Sequence, residues 1–528
     1  MAARARSLVA GVLCALLAGA PGCVQNDGST FNPLKKMTEV SADQERDIGL
    51  KFDRELQKKV EFVDDPVVLA TVNDLGQDLV KRIEPQPFIY RFRVIKDERL
   101  NAFAVPGGFV YLHSATVERA GSLDELAGVL AHEIGHVKGH HFQRMQEKAA
   151  LPSLLASLAA IGAAVATRQP GAAITAEAVN EAIQLKFSRE FENEADELGT
   201  IFMARSGYDP RGMSRFFERI VLEEERSPIQ IPPYLYSHPD VKDRIATVNT
   251  DAAGLTVQGA PPVGFADELR EAQARLALLL QSGRSSLAET APTFDRAKTD
   301  PALADADRLV DAGDAGSAIQ RLARAEADEP NDPRVPFRLG EIYQSQGRSA
   351  EAIAAWRRTL RLDPNRGLVF YRIGLAYKDL GDRPQAVFYL EQSLRRFGDR
   401  SELQKRAEAE IERLDFRVIE AAGLSDAAAG EEGGPLRQEF PASIAAIQWW
   451  AKVGDRFVGH EKELRVRWID PSGAVVQDAP VDRARRPYVG SRLALHELEA
   501  ARPGVWTVQA ELDHDVVDRR SFRLTPGS

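Results

Sequence analysis

A chain of 528 residues is long enough for at least three domains, and its 44% hydrophobic composition is ordinary for soluble globular protein. A net charge of −10 and the lack of a glycine-rich phosphate loop argue against nucleic-acid or nucleotide chemistry. With only two cysteines, no disulfide framework is available.

At the start, Arg4 and Arg6 precede an apolar run from Leu8 to Ala20 that ends at Pro21-Gly22-Cys23. A basic head on a run too short to span a bilayer reads as a secretory signal peptide over residues 1–22. Cys23 behind Gly22 resembles a bacterial lipoprotein cleavage site, although Ala20 and Pro21 are unusual there; the expectation is lipidation at Cys23, with simple secretion as the alternative. Cys14 would leave with the signal.

Between Phe103 and His113 the apolar, β-branched and aromatic residues predict strand, with a bend at Gly107-Gly108. Such a strand, at the rim of a cleft, can accept an extended peptide through backbone hydrogen bonds. Next, Ser122 with Glu125 three residues on is a capping-box pattern ahead of Leu126, Val129, Leu130 and Ile134, and predicts a helix that Gly139 can end. This helix carries His132-Glu133-Ile134-Gly135-His136. Residues i and i+4 share a helix face, so both imidazoles can bind one metal, and Glu133 stands where it can take a proton from a zinc-bound water. The bland alternative is a solvated polar face. His140 and His141 are expected to cap the negative end of the helix, and His113 has no evident partner.

Leu151 to Ala166 is uncharged and rich in Ala, Leu and Ile, but it is short and contains Pro152 and Gly162; a lid helix is expected rather than a membrane crossing. A catalytic zinc needs a third protein ligand and one open position. The acidic helix beginning at Ser188 offers Glu190, Glu192 and Glu194. Glu192 and Asp196 share one face, so one can ligate while the other holds the outer nitrogen of a histidine ligand, leaving Glu190 and Glu194 as surface charges. His238 precedes Pro239 and so lies on a loop, where it can stabilise an oxyanion, occupy the open metal position at rest, or be an ordinary loop histidine. For Arg244 a structural salt bridge is expected over contact with substrate.

Past residue 250, Gly313, Gly347 and Gly381 recur every 34 residues, as do Ala318, Ala352 and Ala386. Pro330 with Pro364, Gly340 with Gly374 and Tyr343 with Tyr377 keep the same interval. This is the tetratricopeptide period, and it predicts an α-solenoid over residues 265–415, closed by a helix from Arg400 to Leu414, that presents a surface to protein partners. A Gly-rich linker is read at 423–440. From 441 to 528, alternation in Leu464–Ile469 and Trp506–Leu512, with a turn at Asp470-Pro471-Ser472-Gly473, predicts a β-sandwich. Core packing of at least one of Trp449 and Trp450 is expected over a binding surface.

Several segments in order resemble the zinc metallopeptidase family of the CAAX prenyl endopeptidase, HtpX and the periplasmic BepA-type proteases. These are Asn101–Gly108, His132–His136, Ser188-Arg189 with Glu192 and Ala195-Asp196, and Ser237-His238-Pro239 with Arg244-Ile245, within about residues 40 to 250. The resemblance implies a mainly α, gluzincin-like domain with a small β-sheet beside the zinc helix. It implies one Zn²⁺ per chain held by His132, His136 and Glu192, with Asp196 behind a ligand and Glu133 and His238 as the catalytic candidates.

The expected function is an exported endopeptidase that hydrolyses envelope proteins through metal-activated water, located in the periplasm and anchored to the outer membrane by the lipid or else soluble. Polypeptides, and through the resemblance an outer-membrane assembly machinery, are the expected partners. The alternative is a repeat-based chaperone or assembly factor whose zinc site is latent or structural. Glu133 favours the first, because a structural zinc needs no base.

Overall fold

The computed structural model describes residues 42–83, 88–147, 186–226, 233–284, 292–397, 401–415, 419–425, 439–453, 464–481, 488–495, 503–512 and 515–526. The signal segment 1–22, Cys23 and the apolar run Leu151 to Ala166 lie outside the described residues. Among the described residues, no helix is long and apolar enough to cross a membrane.

Helices α1 (Ala42–Gln57) and α2 (Pro66–Lys81) precede strands β1 (Arg91–Ile95), β2 (Ala102–Val105) and β3 (Phe109–His113). Asp65 starts α2 by accepting the N–H groups of Val67 and Val68 at 3.0 and 3.3 Å, and Pro66 follows where a missing N–H costs nothing. The sheet order is β1-β3-β2, with β3 parallel to β1 and antiparallel to β2. Every strand residue is buried. Phe92, Val94, Ala102, Ala104, Val110 and Leu112 share a core with α2, while Ile95, Phe103, Val105, Phe109 and Tyr111 pack with Ile48, Phe52 and Leu56 of α1. A sheet covered on both faces needs apolar residues at both parities. Of the stretch read as a cleft rim, β3 is the central strand, so only β2 stands at an edge.

The chain continues through α3 (Ser114–Arg119), α4 (Leu123–Lys138), α5 (His141–Glu147), α6 (Arg189–Arg205), α7 (Arg211–Arg226), α8 (Pro233–Ser237), α9 (Val241–Gly254) and α10 (Phe265–Ser282). Although α10 falls in the stretch read as repeats, its Leu269, Ala272, Leu276 and Leu279 sit in the same core as α2 and α4. Arg275 of α10 forks onto Asp65 at 2.7–3.0 Å.

Helices α11 (Arg296–Asp311), α12 (Ala315–Asp328), α13 (Arg334–Ser345), α14 (Ser349–Leu362), α15 (Gly367–Asp379), α16 (Arg383–Leu394) and α17 (Glu402–Leu414) follow. Gly313, Gly347 and Gly381 turn the chain within the pairs at φ of 82°, 72° and 74°, a region that L side chains avoid. Ala318, Ala352 and Ala386 are fully buried at the helix contacts.

The array is docked on α2 and β1 by buried polar groups. Asn73 donates to Gln385 at 3.0 Å, Gln385 donates to Asp74 at 2.7 Å, and Arg357 pairs with Asp74. Arg91 and Arg93 reach Glu391 at 2.7 and 2.8 Å. Burial pushes the Glu391 carboxyl up, but these two guanidinium groups outweigh it and hold it at about 2. Paired buried groups of this kind disfavour any other docking geometry, because shifting the array would strand charges away from water.

Strands β4 (Ile419–Ser425), β5 (Glu439–Pro441), β6 (Ala446–Val453), β7 (Leu464–Ile469), β8 (Val475–Pro480), β9 (Tyr488–Ala494), β10 (Gly504–Leu512) and β11 (Asp515–Thr525) form two sheets, ordered β5-β11-β10-β7-β8 and β4-β6-β9. Residues 423–425, read as the start of a linker, are strand: Gly423 pairs with Trp450 and Leu424 with Trp449. Small residues hid this strand, because its bulky neighbours belong to β6. Trp449, Trp468 and Trp506 are buried in one cluster drawn from both sheets, and Trp468 donates across to Ser491 at 3.0 Å. Trp450 is also buried, so neither member of the Trp449-Trp450 pair forms a binding surface.

Candidate metal centre

Ser122 caps α4 by accepting the Glu125 N–H at 3.2 Å. Glu125 does not close the box on Ser122; its carboxylate takes the Gly121 N–H at 2.8 Å and Arg219 at 2.9 Å. Ser188 caps α6 in the same manner, through the Phe191 N–H at 3.4 Å. The two helices approach to backbone contact: a Cβ on Gly135 would lie 2.7 Å from the Ala195 carbonyl oxygen. That approach brings His132 and His136 of α4 against Glu192 and Asp196 of α6.

Ligand atoms of His132, His136, Glu192 and His238 all lie within 4.8 Å of one another, and all four residues are buried. His132 Nε2 is 3.0 Å from His136 Nε2 and 3.2 Å from His238 Nδ1. Glu192 oxygens lie 3.6 Å from His132 Nε2, 3.5 Å from His136 Nε2 and 3.1 Å from His238 Nδ1. Donor atoms about 2.0–2.1 Å from a tetrahedral zinc would stand about 3.3 Å apart, so this spacing fits the ion.

Tautomers agree with that fit. Asp196 Oδ1 sits 2.8 Å from His132 Nδ1; an ionised carboxylate only accepts, so the proton is on Nδ1 and the Nε2 lone pair faces the cluster. Burial, then the neighbouring imidazoles, pushes His136 well below the usual histidine range. Burial would raise both Glu192 and Asp196, but His238 and Arg244 outweigh it at Glu192, and Arg244 and His132 at Asp196, so both carboxyls are lowered.

Arg244 of α9 makes this charge arrangement possible. It donates to Asp196 through Nε and Nη2, both at 2.7 Å, pairs with Glu192 through Nη1, and lies over the Phe217 ring at 4.6 Å. Glu133 stands apart: it is fully buried, neither carboxylate oxygen accepts a hydrogen bond from the described residues, and burial raises its carboxyl above the usual range. His238 Nε2 lies 3.5 Å from Glu133 Oε1, and the His238 ring stacks on Tyr234 at 4.4 Å.

Three expectations are corrected. His141 does not cap α4: it is buried, its Nδ1 is 2.9 Å from His136 Nδ1, and burial lowers it to about 4. The terminal carbonyl of Gly139 is taken by Arg144 at 3.0 Å, while His140 is exposed. Glu194 is not a free surface charge, since Arg144 holds both its oxygens at 2.7 and 2.8 Å. Finally, His113 has a partner, the Arg99 carbonyl at 3.0 Å. Beside the cluster, a small, half-open recess is lined by Ala104, Val105, Pro106, His136, Phe142 and Phe187, along β2.

Facing helices bring two imidazoles and a carboxylate to one point, with an unspent glutamate beside them, a donor set suited to a zinc ion that leaves a carboxylate for proton transfer. Residues 69–252 match the model of Peptidase family M48, and residues 309–370 and 369–399 match models of the tetratricopeptide repeat. M48 metallopeptidases use zinc, and the donor set here suits it. The beta-barrel assembly-enhancing protease of Escherichia coli is 33% identical over 254 residues, covering 47% of this chain and 51% of that protein. Its counterpart in Yersinia pestis is 27% identical over 466 residues, covering 80% and 91%. The mitochondrial metalloendopeptidase OMA1 of Schizosaccharomyces pombe is 29% identical over 159 residues, 30% and 45% of the two chains. The chain thus spans about half the length of the Escherichia coli relative.

Proposed function

We propose that this protein is an exported zinc endopeptidase that cleaves misfolded or misassembled envelope polypeptides, with the repeat array holding protein partners. The observation that carries this reading is Glu133. A buried carboxylate without a hydrogen-bond donor costs about 1–3 kcal/mol, a cost that a structural zinc site gives no reason to retain.

In this reading His132, His136 and Glu192 hold the ion, and Asp196 fixes the His132 ring. Bound zinc would supply Lewis acidity toward a substrate carbonyl and lower the pKa of a water to about 7. Glu133 takes the proton of the attacking water and passes it to the leaving amine, which suits a carboxyl already raised by burial. The edge of β2, which pairs with no further strand among the described residues, and the adjoining recess receive the substrate as an extended strand.

His238 occupies the remaining donor position, and this favours a second reading in part: the site rests in a latent state while the repeats serve assembly. Among the roles open to His238, we assign it that of resting occupant. His238→Ala is then expected to raise basal casein hydrolysis several-fold with zinc retained; a drop in kcat at full zinc occupancy would place it instead on the oxyanion.

The leader pattern at 1–22 and Cys23 support a periplasmic location with a lipid anchor in the outer membrane. The names of the relatives support clients or partners in β-barrel assembly. We further read the two C-terminal sheets as one β-sandwich that includes β4 and β5, since they share a core. The decisive measurement is metal analysis with casein digestion: one zinc per chain, hydrolysis lost on chelation and restored by zinc. A metal-free chain of full activity would overturn the reading.

A further inference from the structure

The two histidine ligands differ in what stands behind them. His132 is held from behind by Asp196, itself forked by Arg244. Behind His136, among the described residues, stands not a carboxylate but the imidazole of His141, Nδ1 to Nδ1 at 2.9 Å. Further out, His141 Nε2 lies 3.3 Å from Glu194 Oε2 as a contact rather than an aligned hydrogen bond, and Glu194 is clamped by Arg144. Both series therefore end in an arginine and a carboxylate, and the second has one extra imidazole inserted.

We propose that His141 is a positioning residue for the zinc centre: its Nδ1 lone pair accepts the His136 Nδ1 proton, so that His136 Nε2 faces the metal as a lone pair. Glu194 selects the tautomer by favouring the His141 proton on Nε2. Arg144 holds Glu194 in place through both of its oxygens. The inference rests on the zinc reading above.

The backbone is built for this contact. His140 adopts φ of 51°, an uncommon conformation for a residue with a side chain, and it turns the chain so that His141 folds back under α4. Gly139 completes the space: a Cβ there would meet the His141 ring, 2.7 Å from Cδ2 and 3.0 Å from Cε1. Phe191 stacks on the His141 ring at 4.7 Å, and Phe187 on His136 at 4.0 Å, so neither imidazole rotates freely.

The test measures zinc affinity by competition with a chromophoric chelator, on the full chain and without any assay of hydrolysis. His141→Leu keeps the bulk but loses the acceptor, and its zinc dissociation constant is expected to rise about 10- to 100-fold. His141→Asn places an amide oxygen near the position of Nδ1 and is expected to recover most of that loss. Gly139→Ala, whose backbone tolerates alanine, displaces the ring without altering it and should weaken binding in the same direction; it carries the test if His141→Leu does not fold. Wild-type affinity in both His141→Leu and Gly139→Ala overturns the proposal, as does an equal loss in His141→Leu and His141→Asn, which would mean packing alone. Failure of the zinc reading itself is distinct, because the wild-type chain would then bind no zinc.

Discussion

Glu133→Gln is expected to lower turnover by about 10²- to 10⁴-fold while leaving zinc stoichiometry at one per chain. The amide has the same shape as the carboxylate but cannot accept a proton, so the loss falls on kcat. Because no described residue donates to the buried native carboxylate, the same substitution removes a buried charge and should leave the fold at least as stable as wild type. A catalytic group that is removed without loss of stability is the signature of a site held for chemistry. Chemical denaturation with metal analysis and casein digestion reads all three quantities. Hydrolysis at the wild-type rate in a clean Glu133→Gln preparation would remove Glu133 from the mechanism.

Arg244→Met should have the opposite character. The methionine can fill the space over Phe217, but it leaves Asp196 and Glu192 buried without their shared cation. Breaking a buried pair in this way costs about 3–5 kcal/mol, and loss of the support behind a ligand typically costs about 10- to 100-fold in metal affinity. Zinc itself would compensate part of the charge, so the deficit should be larger in chelator than in excess zinc. Unfolding within about 0.5 kcal/mol of wild type in chelator would show that Arg244 is dispensable to the charge balance.

Much of the centre was readable from local pattern. His132, Glu133 and His136 are linked by helix periodicity, and Glu192 with Asp196 by the same rule on a second helix, so their shared faces follow from spacing alone. His141 was misplaced for a physical reason: a histidine just past a helix end is ordinarily a cap, and only the left-handed turn at His140 sends it back beneath the preceding turn. No spacing rule anticipates such a turn at a non-glycine. Glu194 was indistinguishable from a solvated charge until Arg144 stood opposite it. Likewise the 34-residue period revealed the repeats but not their docking, because Asp74 meets Gln385, and Arg91 meets Glu391, only across hundreds of positions that no local pattern links. Strand β4 lacked alternation, since the bulk it packs against is supplied by its partner.

That docking has a mechanical meaning. With Asp74, Arg357, Glu391 and the Arg91–Arg93 pair locking the solenoid to α2 and β1, the array cannot swing as a tethered arm would. A polypeptide gripped by the solenoid would be presented to the zinc helix over one constant distance. On the proposed reading the molecule then behaves as a ruler, and its cuts would be registered by separation from the gripped stretch more than by the residues flanking the broken bond.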